Sequence, residues 1–150
     1  MIDKKFIGHE FAPVTAEVEK GRLRFFAKAT GNNDPIYSDE EAARKAGYPS
    51  LPVPPTFLFC LEMDRDNPFD FLDFLDLLDV DLGKILHGEQ MFTYHAPVCA
   101  GDRITFTSRI ADIYDKKGGA LEFIVMDTQA RNQDGVHVAD MRRSIVVRHG

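Results

Sequence analysis

One short run limits the possible folds of this chain more than any other. Residues 57–61 read Phe-Leu-Phe-Cys-Leu, directly after Pro54, Pro55 and Thr56. A proline pair can open a helix, because the missing amide proton is one that a first turn leaves unpaired anyway. The helix that follows has no polar side, and such a helix must be surrounded. Something has to wrap it. A length of 150 residues suits one domain with a core large enough for that task.

The wrapping material begins at residue 89. Segments 89–96, 103–115, 120–131 and 136–148 are rich in Ile, Val, Phe, Thr and Tyr, which favour strands. Pro97 to Gly101-Asp102, Lys116-Lys117-Gly118-Gly119 and Asn132-Gln133-Asp134-Gly135 separate them, and the last two read as hairpin turns. Long consecutive strands with short connections predict an antiparallel sheet. Curled round one apolar helix it makes an α+β domain, a hot-dog arrangement.

Upstream, 21–30 places Phe25, Phe26 and Ala29 on one helical face, with Gly31 as a left-handed stop. Ser38-Asp39-Glu40-Glu41 reads as a capping box for a second helix, with Arg44 and Lys45 in its last turn and Gly47 behind it. Residues 69–82 carry Asp70, Asp73, Asp76 and Asp79 between apolar pairs, the pattern of an amphipathic surface helix. No repeat or linker divides 1–150, so one domain is expected.

A net charge of −6 argues against a nucleic-acid partner. Residues 62–81 hold Glu62 and seven aspartates against Arg65, a local balance of −7. This is not a calcium loop. An EF-hand starting at Asp64 needs glycine sixth and glutamate twelfth, and the chain has Phe69 and Leu75 there. Two cysteines are too few for a disulfide framework, and Cys60 is expected to be a reduced, buried thiol. His95 and Cys99 lack metal-ligand spacing, and His9, His137 and His149 read as isolated surface residues, so no metal is expected. Neither a signal peptide nor a membrane span is evident, which predicts a cytoplasmic protein and no membrane partner.

Four stretches, 26–47, LPVPPTFLF at 51–59, LHGEQMFTYHAPVCAGD at 86–102 and the strand pairs after them, carry a family likeness. The chain resembles the MaoC-like dehydratases and (R)-specific enoyl-CoA hydratases, and within them the N-terminal-type MaoC dehydratase domain. That type includes the non-catalytic subunit of mycobacterial-type (3R)-hydroxyacyl-ACP dehydratase. Hydratases of the superfamily bear Gly-Asp-x-Asn-Pro-(aliphatic)-His after the first helix. Here the register reads Gly31-Asn32-Asn33-Asp34-Pro35-Ile36-Tyr37. Asn32 replaces the catalytic aspartate and Tyr37 the histidine, while Asp34 stands where asparagine is usual.

An amide has no accessible pKa for proton transfer, and a phenol near pKa 10 is a poor base at neutral pH. The resemblance therefore implies an acyl-thioester-binding subunit of a (3R)-hydroxyacyl-CoA/ACP dehydratase whose Asp/His pair comes from a hot-dog partner. CoA or a carrier protein would be the thioester carrier, with no other cofactor. Asn32, Tyr37, Pro54, Thr56 and Phe57 are the candidate substrate-binding residues. Asp34, and the pair His87 and Glu89 on one strand face, are weaker catalytic candidates. Lys45, Lys116, Lys117, Arg142 and Arg143 are candidate phosphate contacts. Two alternatives stay open: a non-enzymatic acyl-CoA-binding homodimer, and a self-sufficient hydratase using Asp34, His87 or Glu89. Thioester hydrolysis is a weaker one.

Overall fold

A computed structural model describes residues 1–66 and 70–149. Its frame is one five-stranded antiparallel sheet in the order β1-β3-β4-β5-β2, built from β1 (Val14–Glu17), β2 (Ile85–Tyr94), β3 (Arg103–Lys116), β4 (Leu121–Arg131) and β5 (His137–Arg148). The four long strands match the four predicted segments, β2 beginning four residues before the predicted 89. The sequence reading missed β1, a four-residue strand with only Ala16 buried. Turn chemistry agrees with its residues: Lys117, Gly118, Gly119 and Gly135 all take positive φ.

The helices are α1 (Lys20–Ala29), α2 (Glu40–Lys45), α3 (Phe57–Glu62) and α4 (Asp73–Leu78). Gly31 and Gly47 stop the first two at φ 72° and 95°. The expected Ser38 capping box is not formed. The Asp39 side chain caps α2 instead, accepting from the Glu41 amide at 2.9 Å. Asp39 can reach that amide across a single intervening residue, and the helix starts one position later. The amphipathic reading of 69–82 holds in part: α4 buries Phe74, Leu75 and Leu78, but Asp79 ends it at φ 53°. Phe69, where the predicted helix begins, lies outside the described residues.

Helix α3 lies against the inner face of the sheet. Phe57, Leu58 and Leu61 are buried in a cluster with Leu23, Leu51, Ile104, Phe106 and Met141. Helix α4 covers a second cluster around Ile110, Ile113, Ile124 and Val147. Phe59 and Cys60 are only half-buried, so the chain wraps α3 on most of its circumference, not all of it.

Candidate functional site

The loop between α1 and α2 is tied back to α1, where the Arg24 Nε donates to the Ser38 carbonyl at 2.9 Å. Its sequence makes two successive side-chain turns. The Asn32 Oδ1 accepts from the Asp34 amide at 3.2 Å. The Asp34 Oδ1 accepts from the Ile36 amide at 3.1 Å and caps a single-turn 3-10 helix over Pro35–Tyr37. Asn32 and Asp34 thus spend one side-chain oxygen each on shaping the loop, and Asp34 is exposed.

The turn places Tyr37 half-buried beside three other groups. Burial pushes its phenol above the ordinary value, and the nearby Asp34, Tyr48 and Tyr94 push it the same way. Tyr37 is therefore a weaker acid than a free tyrosine and still less fit to act as a base near neutrality. Tyr94, at the inner end of β2, accepts at its hydroxyl from the Thr56 amide at 3.0 Å. Thr56 holds φ 73°, a left-handed conformation that is strained for a β-branched residue. That hydrogen bond turns the strained amide towards Tyr94, in the neighbourhood of Tyr37. Sequence reasoning named Tyr37 and Thr56 but missed Tyr48 and Tyr94, which reach the site from separate segments with no shared motif.

Of the other candidates, Pro54 is buried and its carbonyl accepts from the Phe57 amide at 3.2 Å. Phe57 is 2% exposed, edge-on to Phe26 with ring centres 5.2 Å apart, so its side chain packs in the core. His87 and Glu89 do not share a face. The pairing shifts between His87 with Ile145 and Glu89 with Ser144, which makes Gly88 an extra residue. Adjacent residues of β5 point to opposite sides, and their partners follow them. His87 meets Phe59 of α3 edge-on at 5.1 Å on the inner side, and its Nε2 is 3.1 Å from the Glu89 carbonyl oxygen.

Several expectations need correction. Arg143 is no phosphate ligand: it is 6% exposed and lies 3.6 Å from the buried Glu62 carboxylate. Glu62 also accepts from Ser108 at 3.0 Å and Thr128 at 3.3 Å. Arg142 is held by Asp127 through two bonds of 2.6 and 2.8 Å. His137 and His149 are not isolated. His149 bonds the buried Glu122 carboxylate, and His137 meets Asp140 and His95. Lys45 pairs with Glu41, and Lys116 sits over the Tyr114 and Phe123 rings. Among the described residues, no helix is long and apolar enough to cross a membrane.

Comparison with known proteins agrees with this fold. The family described as FAS1-like, dehydratase domain region matches residues 5–141. A UPF0336 protein of Saccharopolyspora erythraea is 33% identical over 148 residues, spanning 98% of this chain and 92% of its own. The C-terminally truncated HadBC (3R-hydroxyacyl-ACP dehydratase) complex of Mycobacterium tuberculosis superposes with a TM-score of 0.78 at 29% identity, over 94% of this chain and 96% of that one. A MaoC-like dehydratase superposes at 0.83 and 22% identity, over 97% of this chain and 43% of its own length, and supports the fold.

Proposed function

We propose a function from the premise that this chain belongs to the FAS1-like dehydratase domain region family, with the hot-dog fold of the MaoC-like dehydratases. It is the acyl-thioester-binding subunit of a trans-2-enoyl thioester hydratase, equivalently a (3R)-hydroxyacyl dehydratase, and a hot-dog partner supplies the proton-transfer pair. One observation carries this reading. Asn32 and Tyr37 occupy the loop positions where the aspartate and the histidine would stand, the Asn32 Oδ1 being bonded to the Asp34 amide at 3.2 Å and the Tyr37 phenol held above its ordinary value by burial.

Hydration needs one group to take a proton from water and another to deliver one to the α-carbon. Asn32 can do neither, and one Asp34 oxygen is committed to capping. What these residues can do is bind. Thr56 and the tyrosine hydroxyls offer polar contacts to a thioester head, beside the half-buried Phe59 and Cys60, which offer apolar surface to an acyl chain. The same half-covered side of α3 supports a second subunit, since an apolar helix face left wet is unfavourable. The relative at 29% identity is described as a HadBC complex, which supports a partner of the same fold.

The test is hydration of crotonyl-CoA by this chain alone, by a hot-dog partner bearing Gly-Asp-x-Asn-Pro-x-His alone, and by the mixture. Activity confined to the mixture, or raised there well above the partner alone, is expected. Rapid turnover by the lone chain would overturn the reading. Acyl-CoA binding with no turnover in any mixture would favour the non-enzymatic homodimer instead. The double substitution Asn32→Asp with Tyr37→His is expected to restore only partial activity to the lone chain, because the side-chain turns that shape the loop and the groups around it are not built for proton transfer.

A further inference from the structure

We propose that His95, His137 and Asp140 form a binding site for one borderline divalent cation, with zinc the best match, at the corner where β2 meets β5. The proposal does not depend on the function argued above, because this triplet stands on the outer face of the sheet and α3 on the inner.

The three side chains converge through backbone irregularities. On a regular strand His137 and Asp140, three apart, would point to opposite faces. Their pairing with β4 runs Ala130 with Ala139, then Arg131 with His137, so Val138 is an extra residue. That bulge swings His137 onto the face of Asp140, a common use of a bulge. The displaced Val138 carbonyl accepts from the amides of both His95, at 2.8 Å, and Ala96, at 3.2 Å. It thereby fixes the chain just beyond β2. His95 lies two residues after Thr93, the direct partner of Asp140, and so arrives on the same face.

The result is compact. The His95 Nε2 lies 2.7 Å from one Asp140 oxygen and the His137 Nε2 lies 2.8 Å from the other. The two rings are 4.5 Å apart, and all three ligand atoms lie within 4.8 Å of one another. Two neutral imidazoles and one carboxylate are a zinc-type donor set, with a fourth position left to water. Bonds of about 2.0–2.2 Å in tetrahedral array set ligand atoms roughly 3.4 Å apart. The two carboxylate–imidazole gaps, now 2.7 and 2.8 Å, need only open by about 0.6–0.7 Å to admit the ion. Side chains 38%, 30% and 41% exposed can make that adjustment by small rotations.

The surroundings do not oppose a cation. Arg142, on the neighbouring outward position of β5, is neutralised by its two bonds to Asp127. The Arg131 guanidinium is turned to the Gly135 carbonyl at 3.1 Å. Asp140, Thr93 and Gln129 also line a cleft of about 510 Å³ across the outer face of the sheet, so the open position has water beside it.

The experiment uses the full chain without a histidine tag, stripped by chelator and titrated with zinc chloride alone. Calorimetry should read one equivalent per chain, and thermal denaturation a rise in Tm with zinc. His95→Gln and His137→Gln keep an N–H towards Asp140 but remove a ligand. Each should fold with its zinc-free Tm little changed and bind zinc about 100-fold or more weakly, since even an outer-shell partner of a metal site is worth 10- to 100-fold. Asp140→Asn should behave likewise. Absence of zinc-dependent heat and of any Tm rise in the native chain would overturn the proposal and leave a hydrogen-bonded clasp. Equal zinc affinity in the native chain and all three variants would overturn it too, by placing the ion elsewhere.

Discussion

At the residue scale, the least expected side chain is Glu62. It closes an otherwise apolar helix, is 2% exposed and collects the hydroxyls of Ser108 and Thr128 and the Arg143 guanidinium. Burial of a carboxylate is tolerable only with such company, because its partners replace the water it has lost. The Arg143 Nε, itself buried, has no hydrogen-bond partner among the described residues, so the guanidinium depends on Glu62 for much of its compensation. Glu62→Ala is expected to lower stability by about 3–5 kcal/mol in urea unfolding, mostly by stranding Arg143. Glu62→Leu combined with Arg143→Met should be clearly milder than Glu62→Ala alone. Were the single change to cost under about 1 kcal/mol, the network would be ornamental.

At the scale of elements, α3 and β2 set the site together. Helix α3 is only six residues long, too short to persist without tertiary packing. What holds it is the buried row Phe57, Leu58 and Leu61 against the sheet. Strand β2 bends at Gly88, which turns Tyr94 and His87 inward and Glu89 outward. A Cβ at Gly88 would lie 2.9 Å from the Val146 Cγ2 and 3.2 Å from the Ser144 carbonyl oxygen, and the second of these is backbone that cannot step aside. Gly88→Ala should therefore destabilise the chain by about 1–3 kcal/mol and loosen the Tyr94–Thr56 contact. The check is a paired measurement of the urea midpoint and of acyl-CoA affinity. A variant as stable as the parent would show that the bulge can relax.

At the scale of the whole molecule, the sheet has two edge strands of unequal length, the short β1 and the long β2. Beside β1, residues 8–11 continue along β3 through Gly8 to Ile110 and Phe11 to Ser108 backbone bonds. On the far side β2 pairs with β5 alone, and Leu86, Met91 and Tyr94 on it are all exposed. A long bare edge beside a half-covered apolar helix is a surface that soluble proteins rarely leave alone. Under the subunit reading, Phe59→Arg should abolish co-elution with the partner and the activity of the mixture. The isolated chain should stay folded, with a loss of about 1 kcal/mol. If the pair still assembled and turned over normally, the partner would have to sit elsewhere.

Much of this protein is determined by local sequence. Among the described residues, apolar runs, turn glycines and helix stops mark four of the five strands and all four helices, because such signals act within a few residues of themselves. The apolar face expected for 21–30 is wrong, however: α1 buries Leu23 and Ala27 and leaves Phe25 73% exposed. The altered loop is legible for the same reason: Asn32, Asp34 and Tyr37 are neighbours in sequence, and their chemistry follows from residue type. What only the tertiary structure decides is which distant groups meet. Tyr94 reaches the Thr56 amide, Arg143 turns inward to Glu62, and His95 and His137 share Asp140. Each of those meetings depends on strand register, and one extra residue at Gly88 or Val138 reverses the face of every side chain beyond it.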